Sequence, residues 1–232
     1  MKVIYEDSKI LVIYKKAGQL TQSGKNFDVD LTSEVLNYRK KKGEDVYAAL
    51  INRLDRQVSG LVLFAKTKAE AGRLSKQMQQ GGFNKQYYGW ICGKPKDNKG
   101  SLVDFLKKDE KSNTSMVVTE DESGAKRAEL EYEVIKTVEV ASDGESTETQ
   151  YLSLVRIHLI TGRHHQIRVQ FASRGCPLLG DGKYGEAGAV SVQDARNLCN
   201  IRVGRQEIAL CAYSLEVDGN VYTVLPEWFS EN

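Results

Sequence analysis

Three side chains in this 232-residue sequence carry reactive groups in settings that packing alone does not explain. Asp55 stands between Arg53 and Arg56 in a polar loop, within Ile51-Asn52-Arg53-Leu54-Asp55-Arg56-Gln57-Val58-Ser59-Gly60, and apolar segments flank that loop on both sides. A lone loop aspartate is ordinarily half of an ion pair, but a carboxylate held between two core segments is also well placed for chemistry. Tyr87 heads one face of the alternating run from Lys85 to Gly93, where its ring can stack on a base and its hydroxyl can shuttle a proton. Arg168 lies in Thr161-Gly162-Arg163-His164-His165-Gln166-Ile167-Arg168. A carboxylate facing that guanidinium keeps its charge, which suits a nucleophile better than a general acid.

Other chemistries fit less well. The three histidines are His158, in a strand, and His164 and His165, adjacent on a predicted helix, so their rings should diverge and no metal site is expected. Ser59 lacks the strand–turn–helix elbow of a serine hydrolase. Neither a Walker A loop nor a G-x-G-x-x-G opening a helix is present, so no cofactor is expected. Cys92, Cys176, Cys199 and Cys211 are scattered singly, which predicts neither a disulfide framework nor a zinc site and suits a reducing, cytoplasmic setting. Glu6 and Asp7 come too early for a signal peptide, and no apolar run nears the roughly 20 residues of a membrane helix. No membrane association is expected.

The composition, 41% hydrophobic and 28% charged, is that of a globular chain with a core. Net charge is +2, but its distribution is uneven. Residues 1–95 hold 17 Lys+Arg against 9 Asp+Glu, residues 96–150 hold 8 against 14, and the remainder is balanced. A basic first segment suits a phosphate-bearing partner such as RNA.

The elements that must position the three groups follow from pattern. Val3–Tyr5 and Ile10–Tyr14 read as strands joined at Asp7-Ser8, with Lys15-Lys16-Ala17-Gly18 as a turn. Asp30 caps a helix over Thr32–Lys42, and Thr67…Glu70 forms a capping box for a helix ending at Gly81-Gly82. Ser59-Gly60 turns the chain into a buried strand, Leu61–Ala65. Gly89 and Gly93, on the Tyr87 face, leave room for something to approach. Short strands are expected at Ser101–Leu106 and Ser115–Thr119, then a long hairpin, Arg127–Val140 and Tyr151–Ile160, with a polar tip over 141–149. A helix begins near His164, placing His164 and His165 beside Arg168, and Ile167 and Phe171 on its buried stripe. Strands at Glu207–Val217 and Val221–Leu225 close the chain, and 186–205 gives no clear pattern. No linker divides the chain, so residues 1–232 read as one domain.

Taken together, these segments resemble the RluA family of RNA pseudouridine synthases. Arg53-Leu54-Asp55-Arg56 with Ser59-Gly60 resembles the motif H-R-L-D-x-x-[ST]-G, and Lys85-x-Tyr87 with Gly93 resembles the K-x-Y strand. Thr161-Gly162-Arg163 with His165-Gln166-Ile167-Arg168, followed by Gly180-Asp181 and Tyr184-Gly185, resembles T-G-R-x-H-Q-I-R and G-D-x-x-Y-G. The resemblance implies a mixed α/β (α+β) fold with a long, bent, mainly antiparallel sheet flanked by helices and an RNA cleft across its middle. It implies isomerisation of a uridine in structured RNA, ribosomal or transfer, with no cofactor or metal. Asp55 would attack or assist at the ribose, Tyr87 would stack near the uracil and take the C5 proton, and Arg168 would pair with Asp55. Arg53 would fill the gap left by the flipped nucleotide, and Lys85, Arg163, His165 and Gln166 are further candidates for RNA contacts. Base flipping costs a few kcal/mol, least in a loop or bulge, so a stem-loop is the expected target. No protein partner is implied and a monomer suffices. The resemblance begins at the catalytic domain, without the small N-terminal RNA-binding domain of some relatives. Asn52 stands where the family has histidine, His164 where threonine is common, and Gln170 where histidine is common, the last two expected on the RNA-facing or outer helix surface. An idle RNA-binding or chaperone module on the same fold is the alternative, and a protein-interaction domain using the acidic 96–150 segment is a third.

Overall fold

The computed structural model describes residues 1–22, 30–140, 149–185 and 189–229. Its first elements are β1 (Lys2–Glu6), β2 (Ile10–Lys15), α1 (Leu31–Lys41), β3 (Ala49–Leu50), β4 (Ser59–Ala65) and α2 (Lys68–Gln79). Next come β5 (Asn84–Cys92), β6 (Lys99–Asp109), β7 (Thr114–Val118), β8 (Lys126–Val140) and β9 (Gln150–Leu159). The chain continues through α3 (Gln166–Ala172), α4 (Val192–Cys199), β10 (Leu210–Val217) and β11 (Asn220–Thr223). The class is mixed α+β with mostly antiparallel strands, as expected. Contacts divide the chain into two compact units, Met1–Asn84 with Ala212–Pro226, and Lys85–Cys211 with Glu227–Asn232.

In the first unit β1 pairs with β2 and β2 with β4, both antiparallel, while β3 flanks β4 and β11 pairs with β10. Every residue of β4 is buried, which is why it reads as a continuous apolar run rather than an alternating one. Ile10, Val12, Leu61, Leu63, Leu74, Phe83 and Leu215 pack into one core cluster. The Asp30 carboxylate accepts from the Ser33 amide at 2.6 Å and starts α1. Of the basic last turn, Arg39 points inward, donating to the carbonyls of Lys66 (2.8 Å) and Tyr47 and to Glu44. Only half of the capping box forms on α2: Thr67 accepts from the Glu70 amide at 3.2 Å, but the Glu70 carboxylate binds Arg73 instead of reaching back. A cation one turn along is a stronger partner for that carboxylate than a neutral amide.

In the second unit the strand order is β5-β9-β8-β6-β7, antiparallel throughout. Tyr87 and Tyr132 both sit opposite Ile157, so the three side chains share one face. On α3, Val169 packs with Leu106 and Ala128, and the Phe171 ring meets Tyr132 edge-on with centroids 5.6 Å apart. Residues 141–148 of the anticipated polar tip lie outside the described residues. The unreadable 186–205 stretch contains α4, started by Ser191, whose hydroxyl accepts from the Asp194 amide at 3.1 Å.

Two expectations need correction. The space at Gly89 and Gly93 is taken up by the protein itself. A β-carbon on Gly89 would lie 3.1 Å from Leu178 and 3.3 Å from the Ala209 carbonyl, and one on Gly93 would lie 3.3 Å from the Cys176 sulfur. The helix also starts later than expected. His165 is left-handed at φ 53°, and α3 begins at Gln166, so His164 precedes the helix. The two histidine rings stack at 3.8 Å, where divergence was expected, because the chain reverses at His165.

Candidate active site

The Asp55 loop in the first unit is held almost entirely by donors to its backbone. Lys15 was expected in a turn; it is instead the last residue of β2, opposite Gly60 on β4, and has no exposed surface. Its ammonium shares its three N–H donors among four carbonyls, those of Val58 (2.7 Å), Asp55 (3.0 Å), Lys16 (3.1 Å) and Arg56 (3.2 Å). Burial pulls the Lys15 amine down to about 8, and the Asp55 charge offsets part of that. Thr21 donates its hydroxyl to the Leu54 carbonyl at 2.8 Å, the Gly18 amide donates to Arg56 O at 2.8 Å, and Val58 N closes a turn onto Asp55 O at 3.1 Å. Asn52 is buried and bridges to β4, donating to Leu61 O at 3.1 Å and accepting from Leu63 N at 2.7 Å. The residue at the histidine position is therefore a brace for the strand behind the loop.

Gly60 is required by close approach. At φ 130° any β-carbon there would lie 2.5 Å from the backbone nitrogen and oxygen of Ala212. With its backbone fixed in this way, the loop leaves Asp55 partly exposed and Arg53 and Arg56 exposed.

In the second unit Arg168 is 3% exposed, and one edge of its guanidinium, Nε and Nη2, is gripped by both oxygens of Asp181 at 2.7 Å each. A planar fork meeting a carboxylate in two parallel bonds fixes the plane of the cation. The guanidinium carbon also lies over the Tyr184 ring, 5.1 Å from its centroid. His165 is buried, with Nδ1 2.8 Å from the Tyr184 hydroxyl. Gln166 is also buried: its carbonyl oxygen accepts from Thr161 (2.8 Å) and Arg163 N (3.0 Å), and its amide donates to Glu129 O and Gln170 at 3.0 Å each. These bonds give Gln166 a part in holding the 161–166 turn. Gln170, expected on the surface, has no exposed area and donates to Asp104 at 2.7 Å, because α3 lies flat on β6 and β8.

Tyr87 is 7% exposed on β5. Lys85, two residues earlier, brings its ammonium to 3.5 Å from where a Gly162 β-carbon would be, so the K-x-Y strand and the T-G-R turn meet; burial lowers the Lys85 amine. Arg163 is exposed, with its Nε on the Arg127 carbonyl at 2.9 Å. Among the described residues no three His, Cys, Asp or Glu side chains converge as ligands of a metal would. None of the helices described is long and apolar enough to cross a membrane.

A family model described as RNA pseudouridylate synthase matches residues 9–173, a span that takes in Asp55, Tyr87 and Arg168. The chain belongs to the RNA pseudouridylate synthase family. It is 33% identical over 183 residues to the ribosomal large subunit pseudouridine synthase C of Rickettsia conorii, covering 79% of this chain and 56% of that protein. It is 30% identical over 220 residues to the ribosomal large subunit pseudouridine synthase D of Nitrosomonas europaea, covering 94% and 58% respectively. The chain thus spans a little over half the length of these curated relatives. The structure called human RNA pseudouridylate synthase domain containing 4 superposes with a TM-score of 0.75 at 21% identity, covering 98% of this chain and 90% of that one. Human RNA pseudouridylate synthase domain containing 1 gives 0.70 at 22%, covering 97% and 83%. At those identities the likeness is one of fold.

For this pseudouridylate synthase family member, the sequence reading missed two structural partners. Lys15 could have been found from its position, since a lysine ending a strand as apolar as Ile10–Tyr14 must either leave the core or meet acceptors there. Asp181 was visible only within the segment that resembles G-D-x-x-Y-G, and nothing in its spacing connects it to Arg168 thirteen residues earlier.

Proposed function

We propose that this chain isomerises a uridine in structured RNA to pseudouridine, with its two units acting as a single catalytic domain. Asp55 attacks or assists at the ribose as the N-glycosidic bond breaks, the freed uracil turns, and C5 bonds to C1′. The C5 proton passes to Tyr87 and N1 gains a proton, so the reaction has no net loss of atoms or electrons. Arg168 is the third residue assigned to the reaction, and Arg53 occupies the space left by the flipped nucleotide. Exposed Arg53 and Arg163 and half-buried Lys85 contact the RNA, and His165 and Gln166 act from beneath that surface.

The observation that carries this reading is the family match over residues 9–173, joined to the construction of the Asp55 loop, whose backbone carbonyls are held by Lys15 and Thr21 while Asp55 itself is partly exposed. Preorganisation of that kind is what a nucleophile needs and what a surface ion pair does not. The buried Asn52 brace weakens the idle-module alternative, because the departure from histidine has a structural use. Names of relatives such as the Rickettsia conorii protein favour large-subunit ribosomal RNA over transfer RNA as the substrate. Pseudouridine mapping of total RNA from cells with and without the gene tests this. Loss of a modified position in large-subunit RNA is expected, and an unchanged map in every RNA would overturn it.

A further inference from the structure

The construction around Arg168 reaches further than its pair with Asp181. The carboxylate fixes the guanidinium within its own plane, and the guanidinium carbon lies over the Tyr184 ring, so Arg168 has a second restraint besides the ion pair. Tyr184 is in turn fixed at its far end. Its hydroxyl oxygen accepts from the Ser115 amide at 2.7 Å and lies 2.8 Å from His165 Nδ1, and the His165 ring meets the Tyr184 ring edge-on at 5.6 Å.

Ser115 belongs to β7, the outer strand of the β6–β7 hairpin, and is buried. Its hydroxyl lies 2.8 Å from the His164 carbonyl and 2.9 Å from His164 Nδ1, and His164 stacks on His165. The turn of the same hairpin accepts from the Lys183 ammonium at Asn113 O, 3.0 Å away. Asp181 Oδ1 also accepts from Lys183 N at 3.0 Å and Tyr184 N at 3.3 Å. The hairpin, the 181–185 loop and the start of α3 therefore form one clamp.

We infer that Tyr184 is a positioning residue for Arg168 and that the β6–β7 hairpin sets it through Ser115. The inference rests on the role given to Arg168 above, but its first test does not need turnover. The Nε–H of a guanidinium bonded to a carboxylate and covered by a ring exchanges slowly with solvent, and its NMR signal is assigned by its loss in Arg168→Lys. Tyr184→Phe keeps the ring and loses the hydroxyl; Tyr184→Leu loses both. Exchange of the Arg168 Nε–H should quicken modestly in the Phe variant and by about ten-fold in the Leu variant. In tritium release from RNA labelled at uridine C5, the Leu variant should lose about ten-fold in kcat with KM nearly constant, and Phe should restore most of it. Unchanged Nε–H protection in both variants overturns the inference, as does a loss confined to KM. If Leu fails to fold, Tyr184→Met, which also lacks the ring, gives the same comparison. Absent turnover by the wild type on every RNA would count against the catalytic role of Arg168, while the exchange rates would still decide whether Tyr184 positions it.

Discussion

Replacing Lys15 by methionine separates the stability of the fold from the readiness of its acid loop. The substitution keeps the length and apolar stem of the side chain and removes the ammonium that joins the carbonyls of Lys16, Asp55, Arg56 and Val58. Hydrogen bonds to a charged donor contribute roughly 1.5–3 kcal/mol each, so the loss is several kcal/mol if nothing offsets it. The offset is the burial of the charge. A fall in the amine from 10.5 to about 8 corresponds to about 3 kcal/mol at neutral pH. With three N–H donors the net loss should be about 2–6 kcal/mol, a Tm fall of at least roughly 4 °C for a chain of this size. The loop has no such compensation. A displacement of the reacting carboxylate by about 1 Å can cost about 100-fold, so kcat for tritium release should fall by about 10- to 100-fold with the fold intact. The pH dependence supplies an internal check. Between pH 8 and 10.5 the unfolded chain binds the proton that folded Lys15 has lost, so this group makes the wild type more stable as pH rises through that window. Urea titrations of wild type minus Lys15→Met should show that rise in the difference. A variant with kcat within two-fold of wild type would refute the reasoning.

Three further outcomes follow. Gly60→Ala places a methyl 2.5 Å from the Ala212 backbone at a φ that disfavours side chains, and should cost about 3 kcal/mol or more by urea denaturation; near-native stability would mean that β4 and β10 separate easily. Asn52→Ala leaves the Leu63 amide and Leu61 carbonyl without their brace and should cost about 1–3 kcal/mol, measured the same way, with a smaller effect if water replaces the amide. Burial raises the Glu6 carboxyl, but hydrogen bonds from Lys66, Lys42 and Tyr38 outweigh this and hold it at about 2. Its contribution is complete above pH 4.5 and disappears as pH falls towards 2, so Glu6→Gln should flatten the acid limb of the stability profile across that interval.

The sequence was most legible where local chemistry is strong. Asp30 and Thr67 cap the helices they were expected to cap, and the long β8–β9 hairpin follows its alternating pattern within a residue or two. It was least legible where a tertiary partner decides. Lys15 reads as a turn residue because lysines belong on surfaces, and only the four carbonyls arriving from residues 16 and 55–58 make burial tolerable. Helical spacing placed His164 in α3, but the reversal at His165 depends on the clamp with Ser115 and Tyr184, which are distant in sequence. Gln166 reads as a candidate RNA contact and Gln170 as a surface amide, and both are buried because each finds partners on β6 or β8. At Gly89 the missing side chain was read correctly as space, but its occupants, Leu178, Ala209 and Leu210, have no local signature.

The most direct test of the account is tritium release from uridine-C5-labelled large-subunit ribosomal RNA, with wild type and Asp55→Asn compared side by side and RNA affinity measured for both. The account predicts release by the wild type, none by the asparagine variant, and affinities that match. Equal release by the two proteins would contradict it.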